Sequence, residues 1–140
     1  MEQSHTVRID APPERVWAIL ADIARWPEWT DNVTRIERLD AGPLAVGSRA
    51  TITQPKLPET EYVVTELDAG RSFTWVAKGP GVRTTARHTV AAESDGGTTL
   101  RLSVAQEGPI GSIAGRFYRK MTDRYLATEA AGLKARAERE

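Results

Sequence analysis

Residues 109–138 read PIGSIAGRFYRKMTDRYLATEAAGLKARAE, and this stretch decides how the rest of the chain is arranged. Pro109 suits the first position of a helix, and Gly108 before it suits the N-cap. No proline follows, so one continuous helix is expected from Pro109 to Glu138, reaching about 45 Å. Ala114, Tyr118, Met121, Thr122, Tyr125, Leu126, Glu129 and Leu133 fall on one arc of the helical wheel. Arg116, Arg119, Lys120, Asp123, Lys134 and Glu138 fall on the opposite arc. A helix of this kind needs an apolar layer to lie against. Its inner arc is mixed: Tyr118, Thr122, Tyr125 and Glu129 bring polar atoms where a close-packed core would use Leu and Ile. That is the composition of a lined cavity. Gly111 and Gly115 weaken the start of the helix by about 1 kcal/mol each relative to Ala, which fits close backbone packing or a helix end that moves to admit a ligand.

Strand-like segments come before this helix. Ser4 to Asp10 alternates, with Val7 and Ile9 on one face, and reads as a first strand. Asp10-Ala11-Pro12-Pro13 stops it and opens a helix, in which Val16, Trp17, Ile19, Leu20 and Ile23 have one-sided spacing. Pro27 disfavours the α conformation at Trp26, so the break is expected there, with Trp26–Trp29 as a short second turn or link. Further strands are expected over Val33–Leu39, Ser48–Gln54, Tyr62–Leu67, Ser72–Ala77, Val82–Ala92 and Thr98–Glu107. Asp68–Arg71, Gly79-Pro80-Gly81 and Ser94-Asp95-Gly96-Gly97 are turn signals between them. Hairpin connections imply an antiparallel sheet, and helices on one face make the fold class α+β.

The chain has 140 residues, the size of one domain spanning 1–140. It carries 19 basic and 19 acidic residues, a net charge of zero that disfavours nucleic acid as a partner. No run is long and apolar enough for an integral membrane segment. Met1 to Thr6 is polar and leads straight into strand-like sequence, so no signal peptide is expected. The absence of cysteine excludes disulfides and thiol chemistry and fits a cytoplasmic protein. A monomer or a homodimer is expected.

Little in the sequence suggests a reaction. The two histidines, His5 and His88, have no partner at metal-ligand spacing, so no metal site is assigned. There is no phosphate-cradling loop and no nucleophile elbow, and no cofactor is implied. His88 is in phase with Thr84, Ala86 and Val90 on the sixth strand, so it is expected to point inward. It reads either as a hydrogen-bonded core histidine or as a polar anchor in a cavity.

Ile9-Asp10-Ala11-Pro12-Pro13-Glu14-Arg15-Val16-Trp17, followed by Asp22-Ile23-Ala24-Arg25-Trp26-Pro27-Glu28-Trp29, resembles the opening of the polyketide cyclase and lipid-transport family. That family belongs to the START-like helix-grip (SRPBCC) superfamily. Val46-Gly47-Ser48, Asp95-Gly96-Gly97-Thr98-Thr99-Leu100 and Glu129-Ala130-Ala131-Gly132-Leu133-Lys134 match it further along the chain. The resemblance implies a seven-stranded antiparallel sheet curved around the long C-terminal helix, with two short helices after the first strand. It also implies an apolar cavity between sheet and helix that takes lipids, sterols, quinones or polyketides. Cyclases of the family use a cavity tyrosine seven residues after the Trp of Trp-Pro-Glu, and an arginine. Val33 stands at the tyrosine position, no arginine matches near Tyr62 to Glu66, and no catalytic residue is carried over.

The first reading of function is therefore the binding or carrying of a small hydrophobic molecule. An enzyme of the cyclase, aromatase or dehydratase type, working without metal, is the alternative. A protein-interaction module with a vestigial cavity, as in the Hsp90-cochaperone-like branch, is the third. The expected ligand-binding residues are Tyr62, Trp75, Ala86, His88, Leu102, Tyr118, Met121, Thr122 and Tyr125, with Trp29 near the mouth.

Overall fold

The computed structural model describes residues 2–139, so Met1, with which the polar opening begins, lies outside it, as does Glu140. The strands are β1 (Glu2–Ile9), β2 (Arg35–Arg38), β3 (Arg49–Thr53), β4 (Thr60–Asp68), β5 (Ser72–Gly79), β6 (Val82–Ala92) and β7 (Thr98–Glu107). They form one sheet in the order β1-β7-β6-β5-β4-β3-β2, every neighbouring pair antiparallel. All seven expected strands are present, and β6 and β7 have the expected limits.

Chain-consecutive β1 and β2 lie at opposite edges of the sheet. The segment joining them holds α1 (Pro13–Ala21) and a 3-10 helix (Ile23–Glu28). The break between these helices is at Asp22, not at Trp26, and Pro27 lies inside the 3-10 helix. The tighter winding of three residues per turn puts Ile23 and Trp26 on one face, and both are buried. In β4 the pairing with β5 shifts between Val64 and Glu66, a bulge that increases local bend and twist and helps curl the sheet.

The C-terminal segment is not one helix. It is divided at Tyr118 into α2 (Pro109–Phe117) and α3 (Arg119–Glu138). The bonds from Tyr118 N–H to Ala114 and from Thr122 N–H to Tyr118 persist across the bend, at 2.8 and 2.9 Å. The buried seam is also one step around the wheel from the expected arc. It runs through Gly111, Gly115, Leu126, Ala130, Leu133 and Ala137. The shift has a packing cause. A Cβ on Gly111 would meet Val82 at 3.0 Å, so the inward side of α2 is made of glycine where an apolar count looks for large side chains. Ile113 and Phe117 are left 72% and 80% exposed, and Tyr118 is exposed too. Leu126 and Leu133 are buried, Met121 is half-buried, and Arg116 and Lys120 face out as expected.

α3 packs on β1, β7 and α1. Its last turns are pinned to the end of β1, where Lys134 Nζ donates to the Arg8 carbonyl at 2.9 Å and Glu138 accepts from Asp10 N–H at 2.7 Å. The core beneath is continuous, with Ile9, Val16, Leu20, Phe73, Leu100 and Leu133 essentially inaccessible.

Candidate functional site

The sheet register places the functional side chains in rows. His88 pairs with Phe73 on β5 and Leu102 on β7, and Ala86 pairs with Trp75 and Val104 in the next inward row. Small Ala86 between two larger neighbours leaves a hollow. α3 crosses it with the side of the helix that carries Thr122, Tyr125 and Glu129. The result is a cavity of about 120 Å³ lined by residues from the 3-10 helix, β3–β7 and α3.

Six of the ten expected site residues meet there: Tyr62, Trp75, Ala86, His88, Thr122 and Tyr125. The other four do not. Leu102 is buried in the core, outside the lining, on the strand that α3 covers. Tyr118 and Met121 follow the helix bend outward and line a separate groove with Pro55, Lys56, Phe117, Lys120 and Arg124. Tyr125 lines both spaces. Trp29 is displaced by Trp26, which takes the inward place. Trp29 packs beside it at a ring distance of 5.6 Å and lines a different pocket with Ala18, Ile19, Asp22, Arg25 and Arg136.

The cavity also uses Trp26, Asn32, Val33 and Gln54, which are not among the expected binding residues, and Glu129, expected on the inner arc but not as a binding residue. Glu129 had a visible signal, being the one acidic residue on the expected inner arc. Trp26 could not be separated from Trp29 without knowing that the link is a 3-10 helix.

One wall is aromatic. Trp26 and Trp75 rings are 5.3 Å apart, and Tyr62 lies 5.1 Å from Trp75. His88 stacks on Phe73 at 4.1 Å, nearly parallel. Its Nδ1 is 3.2 Å from the Phe73 carbonyl. A neutral ring donating from Nδ1 keeps Nε2 as an acceptor. Burial holds its pKa down at about 4, against which the Phe73 carbonyl works only partly. Tyr125 donates its hydroxyl to the Pro55 carbonyl, and its own carbonyl accepts from the Asn32 amide, so α3 is tied to the loop after β3 and to the loop after the 3-10 helix.

Glu129 differs from these groups. Its carboxyl keeps some exposure through the cavity but has no hydrogen-bond partner among the described residues. Burial pushes its pKa up to about 7. Burial, and then the Glu129 charge, push the Tyr62 hydroxyl up to about 12. No three acidic or histidine side chains cluster in a metal-binding arrangement among the described residues.

These shifts fix a pH dependence. The raised pKa of Glu129 means that its contribution to stability is present below about 4.5 and is lost as pH rises through about 7. The lowered pKa of His88 gives the opposite sign: its contribution is present above 6.5 and is lost as pH falls through about 4. Between those limits the two oppose each other. Glu129→Gln should therefore raise the thermal midpoint at pH 8, by the equivalent of about 1–3 kcal/mol, with no gain at pH 4.5. Thermal melts from pH 4 to 8 measure this, and a variant that tracks the parent at every pH would contradict the buried carboxyl.

A model of the family described as "Polyketide cyclase / dehydrase and lipid transport" matches residues 2–138. No curated protein matches the chain in sequence. Among solved structures, a hypothetical protein from Helicobacter pylori superposes with a TM-score of 0.85 at 14% identity, covering 98% of this chain and 88% of that one. A START superfamily protein from Mycobacterium smegmatis gives 0.78 at 16% identity, with 99% and 97% covered. The di-domain ARO/CYC StfQ of the steffimycin biosynthetic pathway gives 0.77 at 15% identity, with 99% of this chain matched to 50% of that one. No helix among the described residues is long and apolar enough to cross a membrane. With its family model matched from end to end of the described sheet and helices, the chain belongs to the polyketide cyclase / dehydrase and lipid transport family.

Proposed function

We propose that the protein binds a small, largely apolar molecule in the cavity between the sheet and α3. The observation that carries this reading is the hollow itself: a partly open space of about 120 Å³ at the border of the hydrophobic core, with Trp26, Tyr62 and Trp75 in its wall. An enclosed apolar cavity of about 150 Å³ takes benzene, so by volume alone this space suits a one-ring ligand better than a sterol or a long-chain lipid. Large aromatic faces with a few polar tips suit a mostly hydrophobic molecule held in one orientation. Groups able to move a proton do line the space, His88, Tyr62 and Tyr125 among them, but the tyrosine and arginine that the family's cyclases use are not matched. Val33 reaches the cavity but has no hydroxyl, and no arginine lines it among the described residues.

Ala86→Leu tests the reading. Ala86 is nearly buried, and a larger side chain there would grow into the hollow with β6 kept in register. The parent's tryptophan emission should change on titration with a one-ring hydrophobic probe such as toluene. Ala86→Leu should show at least about a tenfold weaker response, with a circular dichroism spectrum like the parent's. Equal probe affinity in parent and variant would rule this cavity out as the binding site.

A further inference from the structure

The cavity is rich in acceptors and poor in cations. Glu129 carries a carboxyl with no hydrogen-bond partner among the described residues, and His88 with its Nδ1–H on Phe73 adds an acceptor at Nε2. The other titratable groups in the lining are Tyr62 on β4 and Tyr125 on α3 itself, and no lysine or arginine lines the space among the described residues. The Tyr125 hydroxyl is already given to Pro55. An anionic ligand would meet a like charge with no cation in the lining to neutralise it. A cationic ligand would supply the missing partner, and the faces of Trp26, Tyr62 and Trp75 would favour its charge further.

We propose that the cavity selects a one-ring apolar amine, its ammonium N–H bonds directed at the Glu129 carboxylate. This rests on the cavity being the binding site, and it names the chemical class of what is bound there. Charge-assisted hydrogen bonds to a desolvated carboxylate are the strong kind, so the amine gains where an equally shaped neutral molecule does not. Because Glu129 takes up a proton near neutrality, amine binding is strongest above that point and weakens below it.

Three probes of one shape decide it: benzylamine, benzyl alcohol and benzoate, titrated by calorimetry at pH 8. Benzylamine should bind about ten- to a hundredfold more tightly than benzyl alcohol, with benzoate weakest. In Glu129→Gln the ratio of benzylamine to benzyl alcohol affinity should fall at least about tenfold. In the unmodified protein, lowering the pH from 8 to 5.5 should weaken benzylamine much more than benzyl alcohol, a readout that does not depend on any variant folding. Benzoate or benzyl alcohol matching benzylamine, or a pH-independent amine affinity, would overturn the assignment of ligand class while leaving the cavity as a binding site. Failure of all three probes to bind would overturn both.

Discussion

Gly132→Ala should destabilise the protein by about 3 kcal/mol, the upper end of the usual cost of forcing an extra methyl group into a packed site. Helix propensity alone points the other way, since Ala in a helix interior is worth about 1 kcal/mol over Gly. The sign therefore reads out the packing. A Cβ on Gly132 would stand 2.0 Å from the Trp29 carbonyl oxygen and 3.3 Å from the Trp29 ring. The first obstacle is backbone and cannot rotate away. Either α3 moves off the segment after the 3-10 helix, or that segment shifts and takes Trp26 with it. Urea denaturation measures the difference, and an alanine variant as stable as the parent would mean that helix and loop are not in contact.

Trp26→Ala carries the other large effect, a loss of about 3–5 kcal/mol as expected for a buried aromatic. Trp26 is 2% exposed and its Nε1 donates to the Leu20 carbonyl at 2.9 Å. Its ring touches Trp29, Phe73, Trp75 and His88 at centroid distances of 5.3–6.4 Å. Removing it also lets water reach His88, which should raise the His88 pKa from about 4 toward its ordinary 6.5, measurable by NMR titration of the ring. Trp26→Phe keeps most of the volume and loses the hydrogen bond, so it should cost less and leave His88 neutral down to acid pH. If His88 titrates identically in both variants, Trp26 is not what excludes water from it.

The strands were legible because the middle of β6 (86–90) and the start of β7 (98–102) alternate and their turns carry glycine at the required places. Gly96, for example, has φ +92 between them. The inward aim of His88 followed from the same alternation. The C-terminal helix was harder to read. Its amphipathic pattern was clear, but α2 approaches the sheet through Gly111 and Gly115, which no hydrophobic count registers. That displaced Tyr118 and Met121 from the expected wall. Trp26 and Trp29 could not be ranked from sequence because both flank the same Pro-Glu pair. Three-residue winding, set by tertiary packing, turned the first one inward. Glu129 was placed on the correct side of the helix, but its lack of a partner depends on what β3 to β6 bring opposite it.

One feature of α2 bears on how the molecule breathes. The Gly81 carbonyl at the tip of the β5–β6 hairpin accepts from both Ile110 and Gly111 N–H, at 2.9 and 3.0 Å. Gly108 makes this possible with φ +94, and a Cβ there would strike the same carbonyl. Hairpin tip and helix start are therefore joined through one carbonyl, and loss of that acceptor would free both amides. With Ile113 and Phe117 facing outward, lifting the helix start uncovers little apolar surface. In deuterated solvent the amides of Ile110 and Gly111 should exchange at one common rate, well ahead of those of Ala130 and Leu133.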